Sequence, residues 1–154
     1  MRKSRKIYCF LAVLFVAIIA LHSLFTYLQD ASKIGHVHGN ISAMMAAIYS
    51  ELDKGNDVLK DIFCKQSQNW AALTNEQYDL LISELVHKDC YLDHVKGWEP
   101  SMPMTDGWGN RYKLYYRVVN GDQYDILIIS NGPDGRYGTE DDIIHPVDAS
   151  LPPT

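Results

Sequence analysis

The sequence has no surplus of positive charge and very little cysteine, and each shortage excludes something. Its 14 Lys+Arg are outnumbered by 19 Asp+Glu, a formal net charge of −5, so nucleic-acid binding through overall basicity has no support. The three cysteines form no C-x-x-C pair and no Cys/His cluster, which leaves the usual zinc and iron–sulfur frameworks without ligands. No nucleophile elbow, Walker loop or H-E-x-x-H motif occurs. His87, His94, His145 and Ser130 therefore read as ordinary surface or boundary residues rather than bases or a nucleophile, and neither an enzyme nor a small-molecule substrate is expected. Internal repeats and low-complexity runs are missing too, while a hydrophobic share of 47% excludes a disordered chain.

Much of that hydrophobicity sits in one block. Arg2, Lys3, Arg5 and Lys6 form a basic head, and the 22 residues from Ile7 to Leu28 carry no formal charge. A bilayer is crossed by about 20 apolar residues, whereas a cleavable signal has an apolar core of about 7 to 15 and a small-x-small site. Ala17 and Ala20 are spaced wrongly for such a site. An uncleaved, single-pass membrane anchor is expected, with the basic head cytoplasmic and the remaining chain facing the periplasm or exterior. Cys9 lies inside the span as a small hydrophobe. Cys64 and Cys90 would face an oxidising compartment, where a disulfide and two buried thiols are both open.

Beyond the span, Ile34, Ile41, Met45, Ile48 and Leu52 form a helical stripe with a weak point at Gly35 and Gly39, ended by Gly55 and Asn56. A short helix is predicted from Asp57 to Lys65. Thr74 with Gln77 reads as a capping box opening a helix that carries Leu81, Leu85 and Val86 on its core face. His36 and His38 have no third ligand nearby. Two prolines and two glycines between Gly97 and Gly107 should stop regular structure. The organisation expected is a head and anchor over 1–29, a helical region over 30–97 and an antiparallel β domain over 98–154. Trp98, Trp108 and the ten tyrosines read as packing for a small sheet.

Tyr112–Val119 and Gln123–Ser130 are rich in aromatic and β-branched residues and are separated by Asn120-Gly121-Asp122, a β-hairpin signal. The uniformly apolar Ile126–Ile129 predicts a strand covered on both faces. After it, Asp134, Asp141 and Asp142 stand at the two ends of a nine-residue stretch with glycines at 135 and 138. Folded back, such a loop brings its carboxylates together, and they repel unless a cation neutralises them. Hard oxygen donors in an irregular loop suit Ca²⁺ better than Mg²⁺. An ordinary turn at Asp134-Gly135 with a solvated Asp141-Asp142 pair is the alternative. The EF-hand spacing is not met.

The ordered succession Asp106-Gly-Trp-Gly-Asn-Arg-Tyr112, Tyr124-Asp125-Ile126, Ser130-Asn-Gly-Pro-Asp-Gly135 and Gly138-Thr-Glu-Asp-Asp-Ile143 resembles the C-terminal region of the major pseudopilins of type II secretion systems. That family shows a D-P-W-G-N-P-Y block, a Y-D-L-x-S segment and a G-x-D-G…G-T-x-D-D-I loop. The resemblance covers roughly the last third of the chain. It implies an α+β, pilin-like fold: a transmembrane helix continuing into an amphipathic helix packed on a small antiparallel sheet. It also implies a calcium-binding loop with side-chain ligands Asp134, Asp141 and Asp142 and carbonyl donors Asn131 and Thr139, and assembly with like subunits or other pseudopilins through the N-terminal helix. The family's leader Gly and helix-start Glu correspond here to Cys9 and Leu14, with Phe10 at the start. That substitution points to an alternative, a non-polymerising single-pass periplasmic domain that binds another protein. The region from Asp57 to Lys96 has no counterpart in the family.

Overall fold

The structure is a computed structural model that describes residues 2–63, 69–87, 105–120, 123–147 and 152. Cys64, Cys90, His94, Trp98, the Pro100–Pro103 breaker and the Gly121–Asp122 turn lie outside the described residues. The chain divides into two compact units, residues 1–35 and 36–154, and helix α1 (Arg2–Asp53) contributes to both. The helix runs unbroken through the expected weak point at Gly35 and Gly39. Neither glycine has anything within 4 Å of where a Cβ would stand, so nothing nearby forces a kink. Their propensity cost, about 1 kcal/mol each, is smaller than the roughly 1.5–3 kcal/mol gained by burying each neighbouring apolar side chain, here Val37, Ile41 and Met44.

In the first unit the apolar side chains stand in the open: Val13 is 69% exposed and Leu21 66%. This is the helix, among the described residues, long and apolar enough to cross a membrane. Its polar interruption at Thr26 is satisfied internally, the hydroxyl donating to the Ser23 carbonyl at 2.9 Å.

The second unit is α+β. Helix α1 closes with Gly55 at φ 80°; the Gly55 N–H donates to the Leu52 carbonyl and the Asn56 N–H to that of Glu51, a Schellman ending. Helix α2 (Asp57–Ile62) is shorter than predicted and starts on Asn56, whose side chain accepts from the N–H groups of Val58 and Leu59. The same amide donates to Glu51 at 3.0 Å and Glu84 at 3.2 Å, with Lys54 on Glu51 at 2.8 Å. A buried carboxylate is thus neutralised and three helices are joined. Strand β1 (Ala71–Ala72) precedes α3 (Asn75–His87), where the capping box forms: the Thr74 N–H donates to Gln77 Oε1 and the Gln77 N–H to Thr74 Oγ1. Leu81 and Leu85 are buried as predicted, but Val86 is 41% exposed and Tyr78 and Ile82 take the core face instead. Val86 sits one position beyond Leu85, a rotation of about 100° around a helix of 3.6 residues per turn.

Strands β2 (Lys113–Asn120), β3 (Gln123–Ser130) and β4 (Ile143–His145) complete an antiparallel sheet in the order β1-β2-β3-β4. The hairpin register pairs Leu114 with Ile128 and Tyr116 with Ile126 on one face, and Lys113 with Ile129 and Tyr115 with Leu127 on the other. The first face meets the helices, with Phe63 edge-on to Tyr116 at 5.1 Å. On the second, Tyr137 packs against Tyr115 and lies beneath the Lys113 ammonium. Ile126, Leu127, Ile128 and Ile129 are accordingly buried without exception. Arg111, just ahead of β2, bonds Asn75 and Asp79 and stacks on Tyr78, fastening α3 to the sheet.

Replacing Asn56 by Ala removes a cap worth about 1 kcal/mol and takes one donor from the buried Glu51 carboxylate, at a further cost of about 1–3 kcal/mol. Thermal melting should therefore show a destabilisation of roughly 2–4 kcal/mol. Asn56→Ser keeps the capping oxygen and should recover only the smaller part.

Candidate metal-binding loop

Between Ser130 and Ile143 the chain reverses direction to lay β4 beside β3, which makes residues 131–142 one folded loop. Its narrowest point is Gly132. The φ of 62° there is left-handed, and a Cβ would stand 2.4 Å from the Asp141 carbonyl oxygen and 2.6 Å from Asp141 Oδ2. Only glycine lets the two ends of the loop touch.

That approach brings two of the three predicted carboxylates together. The Asp134 N–H donates to Asp141 Oδ2 at 3.2 Å. The Thr139 hydroxyl stands 2.7 Å from Asp141 Oδ1, 3.0 Å from the Arg136 carbonyl and 3.4 Å from Asp134 Oδ1. One hydroxyl proton serves only one of these at a time. Asp134 Oδ1 also accepts from the Arg136 N–H at 2.7 Å. The hydroxyl of Thr139 first, and then the Asp134 N–H, hold the Asp141 carboxyl below its ordinary range. A depressed carboxyl stabilises the fold above its unfolded pKa, and that contribution is lost as pH falls through the folded value.

Asp142 turns elsewhere. Its Oδ2 accepts from the Gly138 N–H at 2.7 Å, while its Oδ1 is buried without a partner, as is Asn131 Oδ1. The Asn131 amide nitrogen donates to the Gly135 carbonyl at 3.3 Å, and the Thr139 carbonyl accepts from the Asp142 N–H at 3.3 Å. The oxygen that Asn131 leaves unpaired is therefore on its side chain, whereas the sequence pointed to its carbonyl. Buried oxygens without donors are costly, and both belong to the predicted ligand set. The donor chemistry fits a hard cation: carboxylates, an amide oxygen and carbonyls, with no sulfur or imidazole. Among the described residues no three acidic, His or Cys side chains are gathered as a ready-made cage. The structure pairs Asp134 with Asp141 and leaves Asp142 in the next turn.

The anchoring residues were missed as site residues. Asp106, 6% exposed, accepts on Oδ1 from the N–H groups of Trp108 and Asn110 and on Oδ2 from the Ser130 hydroxyl and the Asn110 amide. The Asn110 amide also donates to the Gly132 carbonyl at 2.8 Å, and the Gly132 N–H donates to Ser130 Oγ at 3.2 Å. An Asp followed two and four residues later by backbone donors, the Asx-turn pattern, was the available signal in Asp106-Gly-Trp-Gly-Asn110.

Comparison of the chain with protein-family models, with curated proteins and with solved structures gave no match.

Gly132→Ala should destabilise the loop far more than Gly138→Ala. Both glycines have positive φ, but only at Gly132 does a Cβ strike backbone. Comparable melting curves for the two variants would contradict the close approach. In a carboxyl-carbon NMR titration Asp141 should titrate below the ordinary Asp range, and Thr139→Val should move it upward.

Proposed function

We propose that this protein is a membrane-anchored, pseudopilin-like structural subunit whose C-terminal domain is stabilised by calcium. It acts in type II secretion or a related pilus-like assembly, and performs no catalysis. What carries the reading is the loop: Gly132 draws Asp141 against Asp134, and the predicted ligands Asn131 and Asp142 each hold a buried oxygen without a partner. The exposed apolar helix at the N-terminus supports anchorage, and the ordered motifs from Asp106 to Ile143 support the pseudopilin resemblance. Anchored through α1, the domain faces the periplasm, and neighbouring subunits meet through the same helix.

On this reading Asp134, Asp141 and Asp142 hold the ion, with Asn131 and Thr139 adding oxygens. Calcium would supply the positive charge that draws Asp142 in beside the Asp134–Asp141 pair. Gly132 and Thr139 keep the two ends of the loop in register. A second reading, a single-pass periplasmic domain that does not polymerise and binds another protein, is favoured by one observation: Cys9 and Leu14 stand where the family has its leader Gly and helix-start Glu.

Melting the full chain in detergent with calcium, with magnesium and with a chelator tests the metal. Binding to the folded state alone at about 100 times Kd adds roughly 2.7 kcal/mol, a rise of several degrees for a domain of this size. Asp134→Ala and Asp142→Ala should each remove most of that rise; an intact calcium response in both would discard the ligand assignment. Sequencing the N-terminus of membrane-extracted protein separates the two readings, because the assembling subunit starts near Phe10 and the plain anchor retains its basic head.

A further inference from the structure

We propose that Asp106 and Asn110 are positioning residues for the cation loop: they fix Gly132 from both sides and so set the spacing of the calcium ligands before the ion arrives. The inference rests on the calcium reading above and concerns residues outside the ligand set. Its basis is a closed hydrogen-bonded circuit. One buried carboxylate, Asp106, orients the Ser130 hydroxyl and the Asn110 amide. These two side chains then take the N–H and the carbonyl of the same residue, Gly132. Ser130 is itself wholly buried at the end of β3, so the circuit is referenced to the sheet rather than to the loop.

Gly132 is the right residue to hold. It follows Asn131 directly, and its α-carbon faces the backbone and carboxylate of Asp141. Holding both polar groups of Gly132 fixes its peptide planes, and with them the distance between the first and last parts of the loop. Asn110 adds a steric stop at the far side of the turn, its Oδ1 lying 3.0 Å from where a Cβ of Gly135 would stand. Loosening the circuit lets Gly132, and Asn131 beside it, shift relative to Asp141 without removing any of the proposed ligand oxygens. Loss of outer-shell partners of this kind typically weakens metal affinity by about 10–100-fold.

The test uses the full chain in detergent and two readouts, the calcium Kd by titration calorimetry and the melting temperature in chelator. Asn110→Ala is expected to raise Kd by roughly tenfold or more. Asn56→Ala, which weakens the helical layer far from the loop in the hydrogen-bond network, is expected to lower the melting temperature and leave Kd unchanged. Asn110→Asp gives a second variant should the alanine fail to fold: it returns an oxygen, cannot donate to Gly132 when ionised, and should also raise Kd. A calcium Kd within twofold of the unaltered chain in these Asn110 variants overturns the inference and leaves the calcium reading standing. No calcium binding by the unaltered chain overturns that reading, and this inference with it.

Discussion

A strand without an exposed face needs two covers, and β3 is such a strand. Ile126 and Ile128 look into the helical layer while Leu127 and Ile129 look the other way, and all four are buried. The second cover is built in part by the loop. Tyr137 lies across Tyr115 and under Lys113, its hydroxyl donates to the Pro152 carbonyl at 2.8 Å, and burial with the neighbouring Tyr115 pushes that hydroxyl's pKa up to about 12. The carboxylate-bearing turn is therefore structural material for the sheet. Ordering residues 131–142 holds Tyr137 against Tyr115 and Lys113 of β2, and on the proposed reading this would give a loop-bound ion a route to whole-domain stability.

Legibility in the sequence followed how local each signal was. The capping box at Thr74–Gln77 and the hairpin pattern around Asn120 are complete within a few residues, and both elements form as expected. The double burial of β3 was legible because four consecutive β-formers leave no polar face. Strand β1 was not, since Ala71-Ala72 has no β signature and pairs only because β2 offers it an edge. The continuation of α1 past its weak point at Gly35 and Gly39 forms as expected, because propensity is a weak prior and packing on Val37 and Ile41 outweighs it. Asn56 read as a stop, whereas it both ends α1 and starts α2. At the loop, sequence spacing predicted that Asp134 meets both Asp141 and Asp142, and the structure brings only Asp141 to it. The Asp134–Asp141 pairing depends on Gly132 lying against Asp141, a tertiary contact with no local pattern.

Two kinds of buried or crowded carboxylate occur in this fold and are handled differently. Asp106 is surrounded by neutral donors, two from backbone and two from side chains, aimed at both of its oxygens. That is the condition under which a buried carboxylate needs no counterion. Asp134 and Asp141 each accept one backbone N–H and compete for the Thr139 hydroxyl, while Asp142 accepts from the Gly138 N–H on one oxygen and keeps the other buried without a partner. On the proposed reading a divalent cation would offset the carboxylate charge and meet that last oxygen, because it takes many oxygens in irregular geometry. On that reading this contrast, more than the number of aspartates, is the physical reason a cation would sit at the loop and not at Asp106.

On the proposed reading the same accounting applies to the anchor. A carboxylate inside a bilayer is expensive and persists only with a partner, so a helix-start Glu in an assembling subunit both demands and directs a neighbour. With Leu14 at that place, α1 avoids the cost and loses the direction. What remains on the described part of the span is an apolar surface satisfied equally by lipid tails or by another helix. Lateral association through α1 alone would then be weakly specified, and any choice of partner passes to the periplasmic domain. Its rigidity in turn depends on the loop that covers β3, so the ion site and the choice of neighbour become parts of one problem.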